Sequence, residues 1–266
     1  MLKLNQKEVL MKKPLSVVLS SVMVSALFLP VNAAAYKVVE VTNGGTITGQ
    51  VTFAGSEADA KKHTKVYTIT KDTDVCGTGK REINYVKVNK GALNDVVVYL
   101  DKVKKGKAWP EDEKNATIDQ KGCEFLPFFT VMANKGELTA INSDPVAHNI
   151  HTYAIIGKAK KTMANVSQPV QGSQVTKTVK LKKRSTGLKV ECDQHDFMHA
   201  FVFVAKNPYY ARVAEDGSYT IKDIPPGKYK VKVWHGYLKD PRAKQVTVKA
   251  GQTKTVKTFE YKNKKK

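Results

Sequence analysis

Cys192, His195 and Met198 place a thiol, an imidazole and a thioether in one short loop. A second imidazole, that of His148, follows a separate predicted strand. Two histidines and one cysteine in a plane, with methionine as a weak axial ligand, are the ligands of a blue-copper electron-transfer site. These residues therefore predict one copper ion per chain, held by the four side chains, and no bond chemistry catalysed by the protein itself.

The chemistry of each side chain suits copper in both oxidation states. A free thiol has a pKa of about 8.5, and copper holds it as the thiolate. Two neutral imidazoles and a soft sulfur accept both Cu(I) and Cu(II). Because the ligands come from the ends of different strands, the fold fixes their positions, and a geometry that changes little between oxidation states keeps electron transfer fast.

The number of cysteines supports a free thiol at the predicted site. Cys76 and Cys123 lie in segments without a nearby His or Met, so we predict a disulfide between them. Cys192 is then the odd cysteine, which in an exported protein indicates a thiol with a function. A bridge from Cys192 to either of the other two would exclude the copper site.

The first 35 residues are predicted to be a secretory signal peptide. Met11, Lys12 and Lys13 form a positive segment, residues 15–29 are apolar, and residues 31–35 offer small-residue cleavage sites. The apolar run is too short for a membrane span, and no later segment is predicted to cross a membrane. We expect a periplasmic or secreted protein.

The basic net charge limits the kinds of partner that the protein is expected to bind. The formal net charge is +21 at pH 7, and lysine supplies most of the positive residues. Lysine is poorer than arginine at bidentate recognition of bases and phosphates, and the lysines are scattered along predicted strands, so we expect no nucleic-acid partner. Steering toward an acidic redox partner or an anionic surface fits better, although a solvated surface explains most of these lysines equally well.

The predicted secondary structure is almost entirely strand. Apolar and polar residues alternate with a period of two between Gly, Pro, Asn and Asp, for example in residues 46–53, 228–234 and 244–249. Asp216-Gly217 and Pro226-Gly227 are turn signals between such runs. The pattern predicts the all-β class, with one or two sandwiches.

The outer parts of the chain resemble one known domain. Residues 44–51 and 93–100 resemble the first two strands of a carboxypeptidase regulatory-like, or transthyretin-like, domain. The rest of that pattern follows in residues 215–229 and 246–251. The resemblance implies a small β-sandwich without catalytic residues, which would serve as a scaffold or a docking module.

The domain organisation follows from this split pattern. The regulatory-like domain is predicted to comprise residues 36–115 and 208–261. Residues 116–207 between its two pieces are long enough for a second, Greek-key sandwich. The basic tail of residues 262–266 is predicted to be frayed and solvated.

The middle segment carries the second resemblance. Asn142-x-Asp144 ends a predicted strand, the pair His148-Asn149 follows, and Cys192-x-x-His195-x-x-Met198 precedes the last strand. This arrangement resembles the cupredoxins, and the loop spacing is similar to that of the amicyanin type. The resemblance implies a Greek-key β-sandwich with the four copper ligands named above.

The same resemblance implies roles for neighbouring residues. Asn149 resembles the residue that ties the two ligand loops together. The outer edge of His195, with Phe197 beside it, would be the electron port in an apolar patch. His199 directly follows Met198 and could replace it as the axial ligand, which would lower the reduction potential.

Three functions remain open from the sequence. The whole chain also resembles bacterial exported proteins labelled methylamine-utilisation proteins, and we expect electron transfer with a periplasmic partner such as a c-type cytochrome or a dehydrogenase. Copper delivery is the first alternative, kept open by His199 and His151, although His151 should face away from His148 on a strand. A structural surface protein with a vestigial metal loop is the second. A zinc site that uses His199 is less natural than copper.

Overall fold

The computed structural model describes residues 36–182 and 184–266, so the predicted signal peptide of residues 1–35 lies outside the described residues. In chain order the strands before the predicted ligands are β1 (Lys37–Val38), β2 (Gly45–Ala54), β3 (Thr64–Thr68), β4 (Lys80–Asn84), β5 (Val88–Asn89), β6 (Ala92–Leu93), β7 (Val96–Asp101), β8 (Lys105–Gly106), β9 (Ala116–Gln120), β10 (Phe125–Leu126), β11 (Phe129–Ala133) and β12 (Glu137–Asn142). The later strands are β13 (His148–Ile156), β14 (Ala159–Gln168), β15 (Gln174–Thr178), β16 (Gly187–Glu191), β17 (His199–Ala205), β18 (Tyr210–Arg212), β19 (Ser218–Ile224), β20 (Gly227–His235), β21 (Lys244–Val248), β22 (Thr253–Thr255) and β23 (Phe259–Lys262). The helices are α1 (Glu57–Lys61), α2 (Thr73–Cys76) and a 3-10 turn at Glu111–Glu113. The predicted all-β class is confirmed.

The first sandwich combines strands from both ends of the chain. One sheet has the order β18-β7-β20-β21, and the other has the order β19-β2-β6-β5 with β22 and β23 pairing in parallel with β2. Large apolar side chains fill the core, each contributing about 1.5–3 kcal/mol by its burial. Among them are Ile47, Leu93, Val97, Leu100, Trp234 and Tyr261.

The second sandwich contains the predicted ligands. One sheet has the order β10-β9-β12-β15 and the other the order β11-β17-β16-β13-β14. Two pairs, β9 with β12 and β11 with β17, are parallel, and the remaining pairs are antiparallel. The core includes Ile118, Leu138, Ile150, Leu188 and Val190.

Strand β17 is buried on both of its faces. Ala200, Val202 and Val204 belong to the core of the second sandwich, whereas Phe201 and Phe203 belong to the core of the first. This follows from the period of two along a strand, which sends successive side chains to opposite faces. Since one strand supplies both cores, the domain boundaries at residues 115 and 208 stay a prediction.

The hairpin of β3 and β4 and the short helix α2 pack on the second sandwich. Ile69 and Cys76 belong to its buried core, and Cys76 forms a disulfide with Cys123. The disulfide predicted from the sequence is confirmed, and Cys192 is a free, buried cysteine. The early segment that contains α2 is thereby fastened to the sandwich that carries the predicted ligands.

The basic tail differs from its prediction. The backbone N–H of Lys266 donates to the carbonyl of Tyr237 at 3.0 Å, and Leu238 forms a β-bridge with Lys265. The ammonium group of Lys266 lies 3.1 Å from a carboxylate oxygen of Asp240, and burial lowers the pKa of this lysine. The prediction of a frayed tail was wrong because the tail pairs with the turn after β20. Among the described residues, no helix is long and apolar enough to cross a membrane.

Candidate metal centre

Three potential metal ligands converge in the buried end of the second sandwich. The Nδ1 atoms of His148 and His195 lie 3.0 Å apart, and the Sγ of Cys192 lies 4.0 Å and 3.9 Å from these two atoms. All three residues are buried. Two nitrogens and one sulfur therefore face a common point, as the sequence predicts for the equatorial ligands.

The strand pairing explains why these residues meet. β13 and β16 are antiparallel neighbours, with His151 opposite Glu191, so the beginning of β13 lies beside the end of β16. His148 begins β13, and Cys192 directly follows β16. The loop that contains Cys192 and His195 then connects β16 to its antiparallel neighbour β17. Ligands from two parts of the chain are thus positioned by backbone hydrogen bonds within one sheet.

Each histidine is oriented by a carboxylate on its other nitrogen. Nε2 of His148 lies 2.9 Å from Oδ2 of Asp144, and Nε2 of His195 lies 2.9 Å from Oδ2 of Asp72. A carboxylate only accepts hydrogen bonds, so each Nε2 carries the proton and donates it. In a neutral ring Nδ1 then holds a lone pair. Burial lowers the pKa of His195 and so favours the neutral ring, although the hydrogen bond to Asp72 acts in the opposite direction. Two lone pairs that face each other in a buried site favour a cation between them.

Asp144 is held in place by backbone amides. Its Oδ1 accepts a hydrogen bond from the N–H of Gly122 at 2.7 Å, and its Oδ2 accepts one from the N–H of Cys123 at 2.8 Å. Gly122 and Cys123 both have left-handed backbone angles, with φ of 63° and 54°. This turn directs two neighbouring N–H groups to one carboxylate, which in turn fixes the ring of His148.

The thiol of Cys192 is shielded from solvent. Burial raises the pKa of this thiol, although hydrogen bonds from Asn149, Gln194 and His195 oppose the rise. In the absence of a cation the sulfur therefore keeps its proton at neutral pH. Binding of a metal ion would require the thiolate and would release that proton.

Asn149 connects the two ligand loops, as the sequence resemblance implies. Its Oδ1 accepts hydrogen bonds from the backbone N–H of Asp193 at 2.6 Å and from the Sγ of Cys192 at 3.4 Å. Its Nδ2 donates to Oδ2 of Asp193 at 2.9 Å. His151 also contacts Asp193, with Nδ1 2.9 Å from Oδ1, and so lies on the outer face of β13. Burial alone would raise the pKa of Asp193, but hydrogen bonds from His151, Asn165 and Asn149 outweigh it and lower that pKa.

Met198 and His199 occupy different environments. Met198 is buried in the core that contains Cys192, and its backbone N–H donates to the carbonyl of His195 at 3.0 Å. His199 begins β17 on the face that is opposite to Ala200, and its Nε2 lies 3.0 Å from the hydroxyl of Tyr67. Burial lowers the pKa of His199 to about 4. Met198 thus shares the buried core of Cys192, whereas His199 contacts Tyr67.

The predicted electron port is not at the surface. His195 is 2% exposed, and the carboxylate of Asp72 lies against the outer Nε2 of its ring. The ring of Phe197 lies 5.6 Å from that of His195 between centroids, and it is also buried. The guanidinium of Arg81 lies 5.0 Å above the ring of Phe197. A carboxylate and a cation thus lie against the two rings, and the electron port at His195 and Phe197 stays a prediction.

Two residues of this site were missed as functional residues in the sequence. Asp144 was part of a recognised motif, and its position four residues before His148 could have indicated its contact with the ring. Asp72 has no such local signal, because 123 residues separate it from His195. Only the cysteine pairing could have indicated that this segment lies near the ligands.

The donor set fits copper better than other metals. Two imidazoles and one thiolate, with a thioether in the same buried core, match a copper site that is used in both oxidation states. A structural zinc site favours four nitrogen or sulfur ligands in a closed tetrahedron. A second group of donors, Cys123, Asp144 and His148, also lies together, but its cysteine sulfur is part of the disulfide.

The comparisons with known proteins are partial. A family model described as polysaccharide lyase family 4, domain II, matches residues 183–256, which is a minority of the chain. No curated protein sequence matches. The family to which the whole chain belongs is therefore not shown by sequence.

Similar solved structures include copper proteins, all at low identity. A Cu-containing nitrite reductase from Thermus scotoductus SA-01 matches at 14% identity with a TM-score of 0.28, over 34% of this chain and 22% of that chain. A purple cupredoxin from Nitrosopumilus maritimus matches at 17% identity with a TM-score of 0.29, over 34% of this chain and 99% of that chain. A reduced Cu(I) form of an amicyanin variant matches at 20% identity with a TM-score of 0.27, over 34% and 82% of the two chains. The match thus spans about a fifth of the reductase.

Proposed function

We propose that the protein binds one copper ion and carries single electrons. His148, Cys192 and His195 would hold the ion in a plane, and Met198 would be the weak axial ligand. The observation that carries this proposal is the convergence of two Nδ1 atoms and one Sγ within 4.0 Å, with each Nε2 fixed by a carboxylate. When bound, copper would supply a one-electron redox couple.

Electron transfer is favoured over catalysis by the closed surroundings of the donors. The three side chains are buried, so little room is left for a substrate beside them. The hydrogen bonds that they donate to Asp144, Asp72 and Asn149 restrict their movement. A restricted ligand set changes little between oxidation states, which favours rapid electron exchange and provides no nucleophile for bond chemistry.

A partner would approach beside Phe197 rather than at the covered edge of His195. A cavity of about 220 Å³ is lined by Phe197, His199, Leu126 and Phe128. Leu126 is 42% exposed, which makes it one of the exposed large apolar side chains of the described residues. Small apolar surfaces of this kind suit the transient contacts of redox proteins.

The proposed partner is another exported redox protein, such as a c-type cytochrome or a dehydrogenase. The strongly basic net charge would steer the protein toward an acidic partner surface at low ionic strength. We place this exchange in the periplasm or outside the cell, because the sequence predicts a signal peptide and the structure contains a buried disulfide.

A visible absorption spectrum after the addition of Cu(II) tests the proposal. We expect an intense thiolate-to-copper band at one copper per chain, and its loss in Cys192→Ala. Asp74→Ala is a matched control, since Asp74 is exposed and lies outside the ligand set. The copper-loaded protein, once reduced, should then transfer one electron to ferricytochrome c in a stopped-flow experiment. A colourless protein would refute copper binding, and a coloured protein without electron exchange would refute the carrier function.

A further inference from the structure

The segment of residues 71–76, here called the cap, lies over His195. Asp72 directs its carboxylate to Nε2 of His195, and Lys71 contacts the side chain of Gln194 in the ligand loop. The side chain of His195 has no exposed surface in the presence of these contacts. Access to the converging donors from this side therefore requires the cap to move.

The backbone conformation and hydrogen bonds of Asp72 hold it in this position. Its φ of 50° is in the left-handed region, which is uncommon for residues other than glycine although Asp and Asn adopt it more readily. Its carbonyl accepts hydrogen bonds from the N–H groups of Val75 and Cys76 at 3.0 Å and 2.8 Å. The short helix α2 thus begins directly after Asp72, the residue that contacts His195.

The cap is joined to the support of the other histidine. Cys76, at the end of the cap, is bonded to Cys123, whose N–H donates to Asp144, the carboxylate that orients His148. The guanidinium of Arg81 strengthens this junction. It donates to the carbonyls of Cys76, Gly122 and Cys123 at 2.8 Å, 3.0 Å and 2.7 Å.

We propose that the cap closes the metal centre and that its opening limits the rate at which the metal ion enters and leaves. Asp72 is a positioning residue in this proposal, because it acts on the site through His195. The proposal rests on the proposed function only in taking the three donors as a metal centre. It predicts that the disulfide, which is buried at both sulfurs, keeps the cap in place as a structural bond and not as a reducible switch.

The test compares Asp72→Ala with Asp72→Asn and with the control Asp74→Ala, which lies on the exposed side of the same helical turn. Copper-loaded protein is mixed with an excess of EDTA, and metal-free protein is mixed with Cu(II), while the absorption band is followed. We expect Asp72→Ala to raise both rates about 10- to 100-fold, because the cap then loses the charge-assisted hydrogen bond to His195 that holds it closed. Asp72→Asn, which keeps an acceptor for Nε2–H, should lie close to the unchanged protein.

A change in the release rate alone would overturn the proposal, because it would mean that Asp72 strengthens the ligand without controlling access. Equal rates in Asp72→Ala and Asp74→Ala would overturn it as well. Hydrogen exchange in the metal-free protein provides a readout that needs no copper. Amides of residues 75–77 should exchange faster in Asp72→Ala, whereas those of β13 should not change. If no variant bound copper, the proposed function would fail, yet this exchange pattern would still decide whether the cap is closed.

Discussion

Removal of the disulfide tests how far the cap and the sandwich depend on each other. Cys76 and Cys123 are 47 residues apart in the sequence. In the chain-entropy description, closing a loop of this length lowers the entropy of the unfolded chain by about 13.6 cal/mol/K. At 25 °C this corresponds to a stabilisation of about 4 kcal/mol. We therefore expect the double variant Cys76→Ala and Cys123→Ala to lose about 4 kcal/mol of unfolding free energy.

Alanine is the appropriate replacement because both sulfurs are buried. Cys76 is 2% exposed and Cys123 is fully buried, so a serine hydroxyl would add a desolvation cost of its own. The hydrogen bonds of Arg81 to the carbonyls of both residues do not involve the sulfurs and remain available. The measured loss should therefore come mainly from the unfolded chain.

Urea unfolding of the metal-free protein, extrapolated linearly to water, measures this loss. The slope m should also increase, because an unfolded chain without the crosslink exposes more surface. Unchanged protein that is unfolded with a reducing agent present should show the same midpoint as the double variant. A loss below about 1 kcal/mol, with an unchanged slope, would mean that the chain-entropy description does not apply to this loop.

Two further predictions concern single side chains. Asn149→Ala removes the acceptor for the N–H of Asp193 and should weaken copper binding about 10- to 100-fold in a chelator competition. Asn165→Ala removes contacts to Asp193 and to Nδ2 of Asn149 but leaves that acceptor in place, so it should have a smaller effect. Burial lowers the pKa of His235 to about 3, so the unfolded chain binds a proton there below pH 6.5 and the folded chain does not. The unfolding free energy of the unchanged protein should therefore fall as the pH is lowered from 6 to 4. Its slope should be steeper than that of His235→Asn by about 1.4 kcal/mol per pH unit. Equal pH slopes in urea unfolding would contradict this.

The sequence predicted the features that depend on local patterns. Alternation with a period of two indicated the strands, and the strands Gly45–Ala54, Gly227–His235 and Lys244–Val248 overlap the predicted runs. The short spacing from Cys192 to Met198 placed three candidate ligands in one loop. Cysteine pairing followed from the surroundings of each cysteine in the sequence. Each of these inferences needs only neighbouring residues.

The features that the sequence missed depend on contacts between distant segments. The cover over His195 comes from Asp72, in a different predicted domain, and no periodicity or spacing connects the two. The face of β17 on which His199 lies could have been predicted only if the first residue of that strand were known. A shift of the strand by one residue moves each side chain to the opposite face. The prediction of a frayed tail was wrong for a similar reason, since the pairing of the tail with residues 237–239 is a long-range contact.

The closed geometry bears on the choice between carrying electrons and delivering copper. Delivery requires ligands that exchange readily, which favours an exposed site with additional methionine or histidine near the surface. Here His148 and His195 are buried, their outer nitrogens are occupied by Asp144 and Asp72, and His199 is engaged with Tyr67. In the proposed carrier, an electron would cross the packed ring of Phe197, whereas a copper ion would not leave until the cap opened. Because a buried disulfide keeps the cap in place, the geometry favours a site that retains its ion and exchanges electrons.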